Sequence, residues 1–127
     1  MSAYEVKSAI SMEADADLSA AQYRIVKVSD HKRVNIAADA TAALLGVLQN
    51  KPSAAGQAAE VQIGGVAKVK MSNAGGSAGA IITATTGGVG VATTTAEDYC
   101  LGQALEDWAA NAIVPVLLMP GHVYPTA

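Results

Sequence analysis

Large aromatic side chains are scarce in this 127-residue sequence, which has no phenylalanine, four tyrosines and one tryptophan. Hydrophobic residues still make up 51% of the chain, so alanine, valine, isoleucine and leucine must fill the interior. Such a core is shallow, which suits thin β structure or an assembly that gains stability from neighbouring subunits. The single cysteine, Cys100, excludes an internal disulfide and is expected to be a buried thiol.

Excess positive charge is also missing, since eight basic residues face eleven acidic ones and the net charge is −3. A nucleic-acid partner is therefore not expected. The apolar stretch AIVPVLLM is much shorter than the ~18 residues of a membrane-spanning helix, and proline interrupts it. The N-terminal residues lack the pattern of a secretion signal. We expect a soluble protein, made in a cytoplasm, with no membrane partner.

One motif suggests an enzyme. Residues 75–79, GGSAG, fit the G-x-S-x-G pattern that holds a serine nucleophile, here Ser77. Asp98, Asp107 and His122 follow in the order that α/β-hydrolases use. That motif requires a helix after the serine, however, whereas AIITATTGG is rich in β-branched residues. The sequence therefore favours a turn at this position and a protein that is not an enzyme.

Cofactor and metal patterns are absent. Glu13, Asp15 and Asp17 are spaced like the first ligands of a calcium loop. That loop also requires a glycine and a glutamate, where the sequence has Leu18 and Arg24. The two histidines, at positions 31 and 122, have no partner at zinc-ligand spacing, and no phosphate-binding glycine pattern occurs. We expect neither a metal nor a cofactor.

Short alternating segments indicate the fold class. YRIVKVS meets RVNIAAD across Asp30 to Lys32, which predicts a hairpin, and Gly87-Gly88 predicts a second tight turn. AEVQIGG and VAKVKMS alternate between apolar and polar residues. Two segments, residues 39–48 and 96–110, also have a spacing that fits a helix. The glycines at positions 46 and 102 argue against a long helix in either of them. The prediction is a small, mainly β domain, a barrel or a sandwich, with little helix.

The N-terminal boundary is open to two interpretations. In residues 4–12, Tyr4, Val6, Ile10 and Met12 share one face of an extended segment, and a small acidic stretch follows. The segment is either the first strand of the sheet or an arm that lies on a partner. We take residues 1–18 as arm and linker, 19–119 as the β domain and 120–127 as a tail, because proline and glycine disfavour regular structure there.

Two stretches of the chain resemble each other. Residues 34–65 and 89–121 share a strand, a Leu-Gly step, an alanine-rich connection and a closing strand, with an offset of 55–56 residues. A small barrel or sandwich with pseudo-symmetry would accommodate two such units. Trp108 follows the second Leu-Gly step and is either a plug of the core or an anchor at an interface.

The order of these features resembles the small capsid decoration, or cement, proteins of tailed bacteriophages. The resemblance covers about residues 23–119. It rests on the residues from Leu45-Gly46-Val47 to Pro52, on Gly56, on Val61-x-Ile63-x-Gly65-Val66 with Lys68-Val69-Lys70, on Gly79 before Ile81-Ile82, on Gly88-x-Gly90-Val91-Ala92, and on Leu101-Gly102-x-Ala104-Leu105. Where relatives often have an acidic residue before the IIT strand, this sequence has Ala80.

The resemblance implies a structural virion protein that binds the outer surface of a phage head and reinforces contacts between major capsid proteins. It implies a homo-oligomer, with a trimer favoured, and an N-terminal arm that clamps the capsid. Capsid contact is then expected at Tyr4, Val6, Ile10 and Met12. We expect an oligomer interface at Leu101, Leu105 and Trp108. The alternative function is a fibre or receptor-binding module of a virion that recognises a glycan.

Overall fold

The computed structural model describes residues 8–41 and 43–125. Within them the chain forms ten strands and one short 3-10 turn, Thr86–Gly88, between β7 and β8. The strands are β1 (Ser8–Ala14), β2 (Ile25–Asp30), β3 (Arg33–Ile36), β4 (Gly46–Leu48), β5 (Ala58–Gly64), β6 (Val66–Lys70), β7 (Ile81–Thr85), β8 (Val89–Ala92), β9 (Tyr99–Ala104) and β10 (Ile113–Val123). The prediction of a mainly β barrel with little helix is confirmed.

The first five strands form a closed barrel in the order β1-β3-β2-β4-β5. Strand β1 closes it, since it pairs antiparallel with β5 and, at Glu13 and Ala14, parallel with β3. Alternate residues point inward, and the barrel is filled by small and medium apolar side chains such as Val26, Leu48 and Val61. A core of this size needs no large aromatic residue.

The last five strands form a second sheet in the order β6-β10-β9-β7-β8. Between its two edge strands, Met71, the residue directly after β6, forms an isolated parallel bridge with Gly90 of β8. Strand β10 is the longest and contacts both β6 and β9. Followed from β6 across this bridge, the second sheet runs β6-β8-β7-β9-β10, which corresponds strand by strand to β1-β3-β2-β4-β5 of the first. The junction between β6 and β8 has one bridge, whereas that between β1 and β3 has two paired positions.

The two sheets are repeats with the same register. The pair Ile25 and Val47 of the first sheet reappears 56 residues further on as Ile81 and Gln103 (25 to 81, 47 to 103). The other strand pairings shift by 55–57 residues, for example Ala14 with Val34 (14 to 71, 34 to 90). We call residues 8–64 the first repeat and residues 66–123 the second repeat. The structural repeat is thus longer than the similar stretches of sequence, since it includes all five strands of each sheet.

A glycine occupies the same structural position in both repeats. A Cβ atom on Gly46 would lie 2.2 Å from the carbonyl oxygen of Gln62, and one on Gly102 would lie 1.9 Å from that of Leu117. Only a residue without a side chain allows the two backbones to approach so closely. The Leu-Gly step shared by the two stretches therefore has a packing reason.

The two repeats pack against each other in one continuous core. Ile25 and Val47 point away from the interior of the first barrel and belong to the same buried cluster as Val69, Ile82 and other core residues of the second repeat. The backbone amide of Lys70 donates to the carbonyl of Tyr23 across this contact. The chain is therefore a single domain built from two fused repeats.

The structure differs from the predicted boundaries at both ends of the domain. Residues 8–14 form strand β1, because the backbone from Ser8 to Glu13 pairs with β5 and Ala14 pairs with Val34 of β3. At the other end, β10 continues past residue 119 to Val123. A register shift between Leu118 and His122 accommodates Pro120 and Gly121 there without requiring a regular hydrogen-bond ladder. Both segments with helical spacing contain strands, β4 and β9.

Candidate interaction surfaces

The residues of the hydrolase motif lie in connecting segments and on strand β10, and two of the carboxylates accept hydrogen bonds from neighbouring groups. No helix follows Ser77; a turn and strand β7 do. The carboxylate of Asp107 accepts a hydrogen bond from the backbone amide of Ala78 at 2.8 Å, and the carboxylate of Asp98 accepts one from the hydroxyl of Thr93 at 2.6 Å. Each carboxylate thus stabilises a local turn. The interpretation of residues 75–79 as a turn agrees with this geometry.

The glycines of this motif make room for Trp108. A Cβ atom on Gly76 would lie 2.2 Å from the indole ring, and the backbones of Gly76 and Trp108 exchange two hydrogen bonds of 2.9 and 3.0 Å. The indole nitrogen donates to the carbonyl of Ala74 at 3.2 Å. Trp108 is buried in the core of the second repeat, so of the two interpretations the structure supports the plug.

The acidic residues near the N-terminus are engaged with other protein groups. Arg33 lies 3.6 Å from the carboxylate of Glu13 and 3.8 Å from that of Asp15. Asp17 accepts hydrogen bonds from the amide and the hydroxyl of Ser19, which lower the pKa of its carboxyl. Within residues 8–41 and 43–125, no group of three or more His, Cys, Asp or Glu side chains could hold a metal ion.

Cys100 and His122 are paired across strands β9 and β10. Burial raises the pKa of the Cys100 thiol, and the nearby carboxylate of Asp98 adds to this effect. The thiol is therefore less reactive than a free cysteine, since the thiolate is the nucleophile. His122, opposite Cys100 in this pair, is exposed.

Among residues 8–41 and 43–125 there is no candidate for a membrane-spanning helix.

Part of the outer face of the second repeat is apolar where that of the first has polar or small residues. Beside the polar Gln103, the outward side chains on β10 and directly after β9 include Leu105, Ile113, Pro115 and Leu117. At the equivalent positions the first repeat has Gln49, Ala58, Glu60 and Gln62. Because the two repeats share one fold, the fold does not require apolar residues there. This apolar face is the strongest candidate for an interaction surface.

The predicted oligomer interface is only partly on the surface. Leu101 is fully buried and Trp108 nearly so, and both pack in the core of the second repeat. Their side chains are thus buried within the fold of this chain. Leu105 is 47% exposed and belongs to the apolar face. Ile113 and Leu117 are also exposed, at 48% and 39%, while the oligomer interface itself stays a prediction.

The predicted capsid contact begins outside the described residues, where Tyr4 and Val6 lie. Ile10 is exposed, while Met12 is half-buried against the core of the first barrel. Along residues 8–12 the described backbone of β1 pairs with β5 and leaves its other edge without a neighbouring strand. Such an edge is able to accept an extended segment of a partner.

The fold is similar to that of a phage head fibre base. The crystal structure of the head fiber gp8.5 N base of bacteriophage phi29 matches with a TM-score of 0.67, covering 90% of this chain and 95% of that chain. The sequences are 18% identical over the match, so the likeness shows a shared fold. No family model and no curated protein matches the chain.

Proposed function

We propose that this chain is a structural virion protein that binds the outer surface of a phage head. The observation that carries the proposal is the likeness to the head fibre base, which includes both repeats and nearly the whole of either chain. The partner is the major capsid protein, and the chain acts there as a homo-oligomer, with a trimer favoured.

The proposed capsid contact is the N-terminal segment together with the open edge of β1. An extended segment adds backbone hydrogen bonds along such an edge, while side chains such as Ile10 fill grooves. Ile10 is still 36% exposed, so one such side chain contributes about 1 kcal/mol on burial, a part of the 1.5–3 kcal/mol for complete burial. A single contact of this size is weak, and an oligomer with several would bind by avidity.

The test is cosedimentation of the purified chain with heads that lack it. We expect binding by the full chain, and loss of binding when residues 2–7 are removed, with β1 left in place. Ala54→Glu, an exposed change in the β4–β5 connection, is the control that should bind normally. No binding by the full chain would refute the capsid role. Unchanged binding after the deletion would refute only the contact by the N-terminal segment.

A second candidate is the base of a fibre that carries a receptor-binding part. The similar structure is the N base of a head fibre, which favours this alternative as directly as it favours a decoration protein. Image reconstruction of virions that contain the chain separates the two. A decoration protein ends in density close to the shell, whereas a fibre base continues into a projecting density. Glycan binding by the free chain, without affinity for heads, would support the receptor-binding alternative.

A further inference from the structure

A polar pocket lies where the two repeats meet. Its volume is about 350 Å³, a size typical of small-molecule sites. Two cations line it, Arg24 from the first repeat and Lys70 from the second. Hydroxyl and amide side chains also line it, from Ser72, Asn73, Thr85, Thr86 and Asn111. Of the described residues that line this pocket, none is acidic and none is aromatic. We call it the junction pocket.

The guanidinium of Arg24 is held in place by the turn between β7 and β8. It donates a hydrogen bond to the carbonyl of Gly87 at 3.0 Å. The backbone of Arg24 is also fixed, since its amide donates to the carbonyl of Ala21 and its carbonyl accepts from the amide of Leu48, both at 3.0 Å. A guanidinium has five N–H donors, so the bond to Gly87 leaves others for a ligand.

The ammonium of Lys70 is positioned in a similar way. It donates to the carbonyl of Asn111 at 2.6 Å, and the amide of Lys70 donates to the carbonyl of Tyr23 in the first repeat at 2.8 Å. The hydroxyl of Ser72 accepts from the amide of Ala74 at 3.3 Å, which leaves its proton to donate to a ligand. Backbone carbonyls thus hold both cations without neutralising their charge.

The two cations also lack acidic partners. Within residues 8–41 and 43–125, the ion pairs are those of Arg33 with Glu13 and Asp15. Neither Arg24 nor Lys70 has a carboxylate of these residues within the distance of an ion pair. A pair of uncompensated positive charges at the edge of one pocket attracts an anion.

The equivalent position of the first repeat has a different charge pattern. By register, Glu13 and Asp15 correspond to Lys70 and Ser72 (13 to 70, 15 to 72), and the arginine that they pair with corresponds to Val89 (33 to 89). The first repeat therefore places two carboxylates around one arginine there. The second repeat has no carboxylate at these positions and has a lysine instead. Because the two repeats share one fold, the fold does not require this positive pocket.

We propose that the junction pocket binds a small ligand through a carboxylate or phosphate group. Arg24 and Lys70 supply charge-assisted hydrogen bonds to the oxygens of that group, and the neighbouring hydroxyl and amide side chains add neutral donors. The described lining offers no ring for stacking, so the charged group itself is recognised. A ligand bound there bridges the two repeats and stabilises the folded chain. The site does not depend on the proposed virion role, because all of these groups belong to this chain.

The test is a nuclear magnetic resonance titration of the isotope-labelled full chain with sodium phosphate and, separately, with sodium citrate. Sodium chloride keeps the ionic strength constant, so that screening does not change during the titration. We expect saturable shifts of the backbone amides of Ser72, Asn73 and Thr86, with a Kd of about 1 mM or tighter. Saturation by only one of the two probes identifies the preferred group and supports the site. No saturation by either probe at about 20 mM would overturn the proposal.

Charge-removing variants test whether the two cations form the site. Lys70→Gln and Arg24→Gln should each weaken binding of the same probe by at least about tenfold, because each removes a charge-assisted hydrogen bond. Lys68→Gln is the matched control, since Lys68 is exposed on the same strand and does not line the pocket. Equal weakening by Lys68→Gln, or unchanged binding by Lys70→Gln, would overturn the proposal. Arg24→Gln also alters the bond to Gly87, so circular dichroism checks its fold, and Lys70→Gln is sufficient if that variant is unfolded.

Discussion

Replacing Gly102 by alanine tests whether the close approach of strands β9 and β10 defines the second repeat. The added Cβ would lie 1.9 Å from the carbonyl oxygen of Leu117. Real Cβ atoms essentially never approach a neighbouring atom more closely than 3.0 Å. One backbone must therefore move by at least 1.1 Å (3.0 minus 1.9). Both segments are held by the β9–β10 pairing and by the core, so neither yields easily.

The expected cost follows from two contributions. Overpacking of a well-packed interior costs about 1–3 kcal/mol, and the upper end applies because the opposing atom is backbone. A weakened ladder hydrogen bond adds about 1 kcal/mol. We therefore expect Gly102→Ala to lower the free energy of unfolding by about 3–4 kcal/mol. Gly46→Ala, whose Cβ would lie 2.2 Å from the carbonyl oxygen of Gln62, should cost somewhat less.

Gly64→Ala is the matched control. This glycine also lies in a strand, but its Cβ would meet Ser8 at an ordinary 3.4 Å. Without a clash, alanine stabilises by about 0.4–1 kcal/mol, because it restricts the unfolded chain. Urea denaturation at one fixed protein concentration gives all three values. A Gly102→Ala variant within about 0.5 kcal/mol of the natural chain, the range of ordinary surface changes, would refute the reasoning.

Three further predictions concern residues singled out in the sequence. Trp108→Ala should lower the free energy of unfolding by about 3–5 kcal/mol. Circular dichroism is used for this measurement, because the variant has no tryptophan to report by fluorescence. A cost below about 1 kcal/mol would contradict the role of Trp108 as a plug of the core. Cys100, with its raised pKa, should react with a maleimide at neutral pH much more slowly in the folded chain than in urea. Ser77→Ala should leave stability unchanged within about 0.5 kcal/mol, and Ser77 should not be labelled by a fluorophosphonate, since labelling would restore the hydrolase hypothesis.

Local features of the fold were predictable from the sequence, whereas strand order was not. The turns at Asp30 to Lys32 and at Gly87-Gly88 depend on residues adjacent in the chain, and both occur as hairpins. The closure of the barrel by β1 depends on pairing with β5, about fifty residues away in the sequence (13 to 58). No short pattern encodes such a contact, so the sequence left open whether this segment was a strand or an arm.

The candidate surfaces show a similar division. Trp108 had two interpretations, because its neighbours in the sequence do not reveal what covers its ring. The ring packs against Gly76, thirty-two residues earlier in the chain (76 to 108), which no local pattern predicts. Leu105 was predicted in an oligomer interface that stays a prediction, and it is 47% exposed. The exposure of Ile113 and Leu117 was not predicted, because a strand that is apolar on both faces looks like a buried one. Only alignment of the two repeats shows that their equivalents are polar or small.

The duplication supplies an internal control for separating the needs of the fold from those of function. Val61 and its equivalent Val116 are both fully buried, as expected where two copies of one barrel need the same interior. Glu60 and its equivalent Pro115 both point outward, and they differ in kind. A barrel that tolerates glutamate at this position has no structural need for an apolar residue there. The apolar residues on this face of the second repeat are therefore not a requirement of the fold, and a change at the exposed Leu117, unlike one in the core, is expected to leave the fold intact.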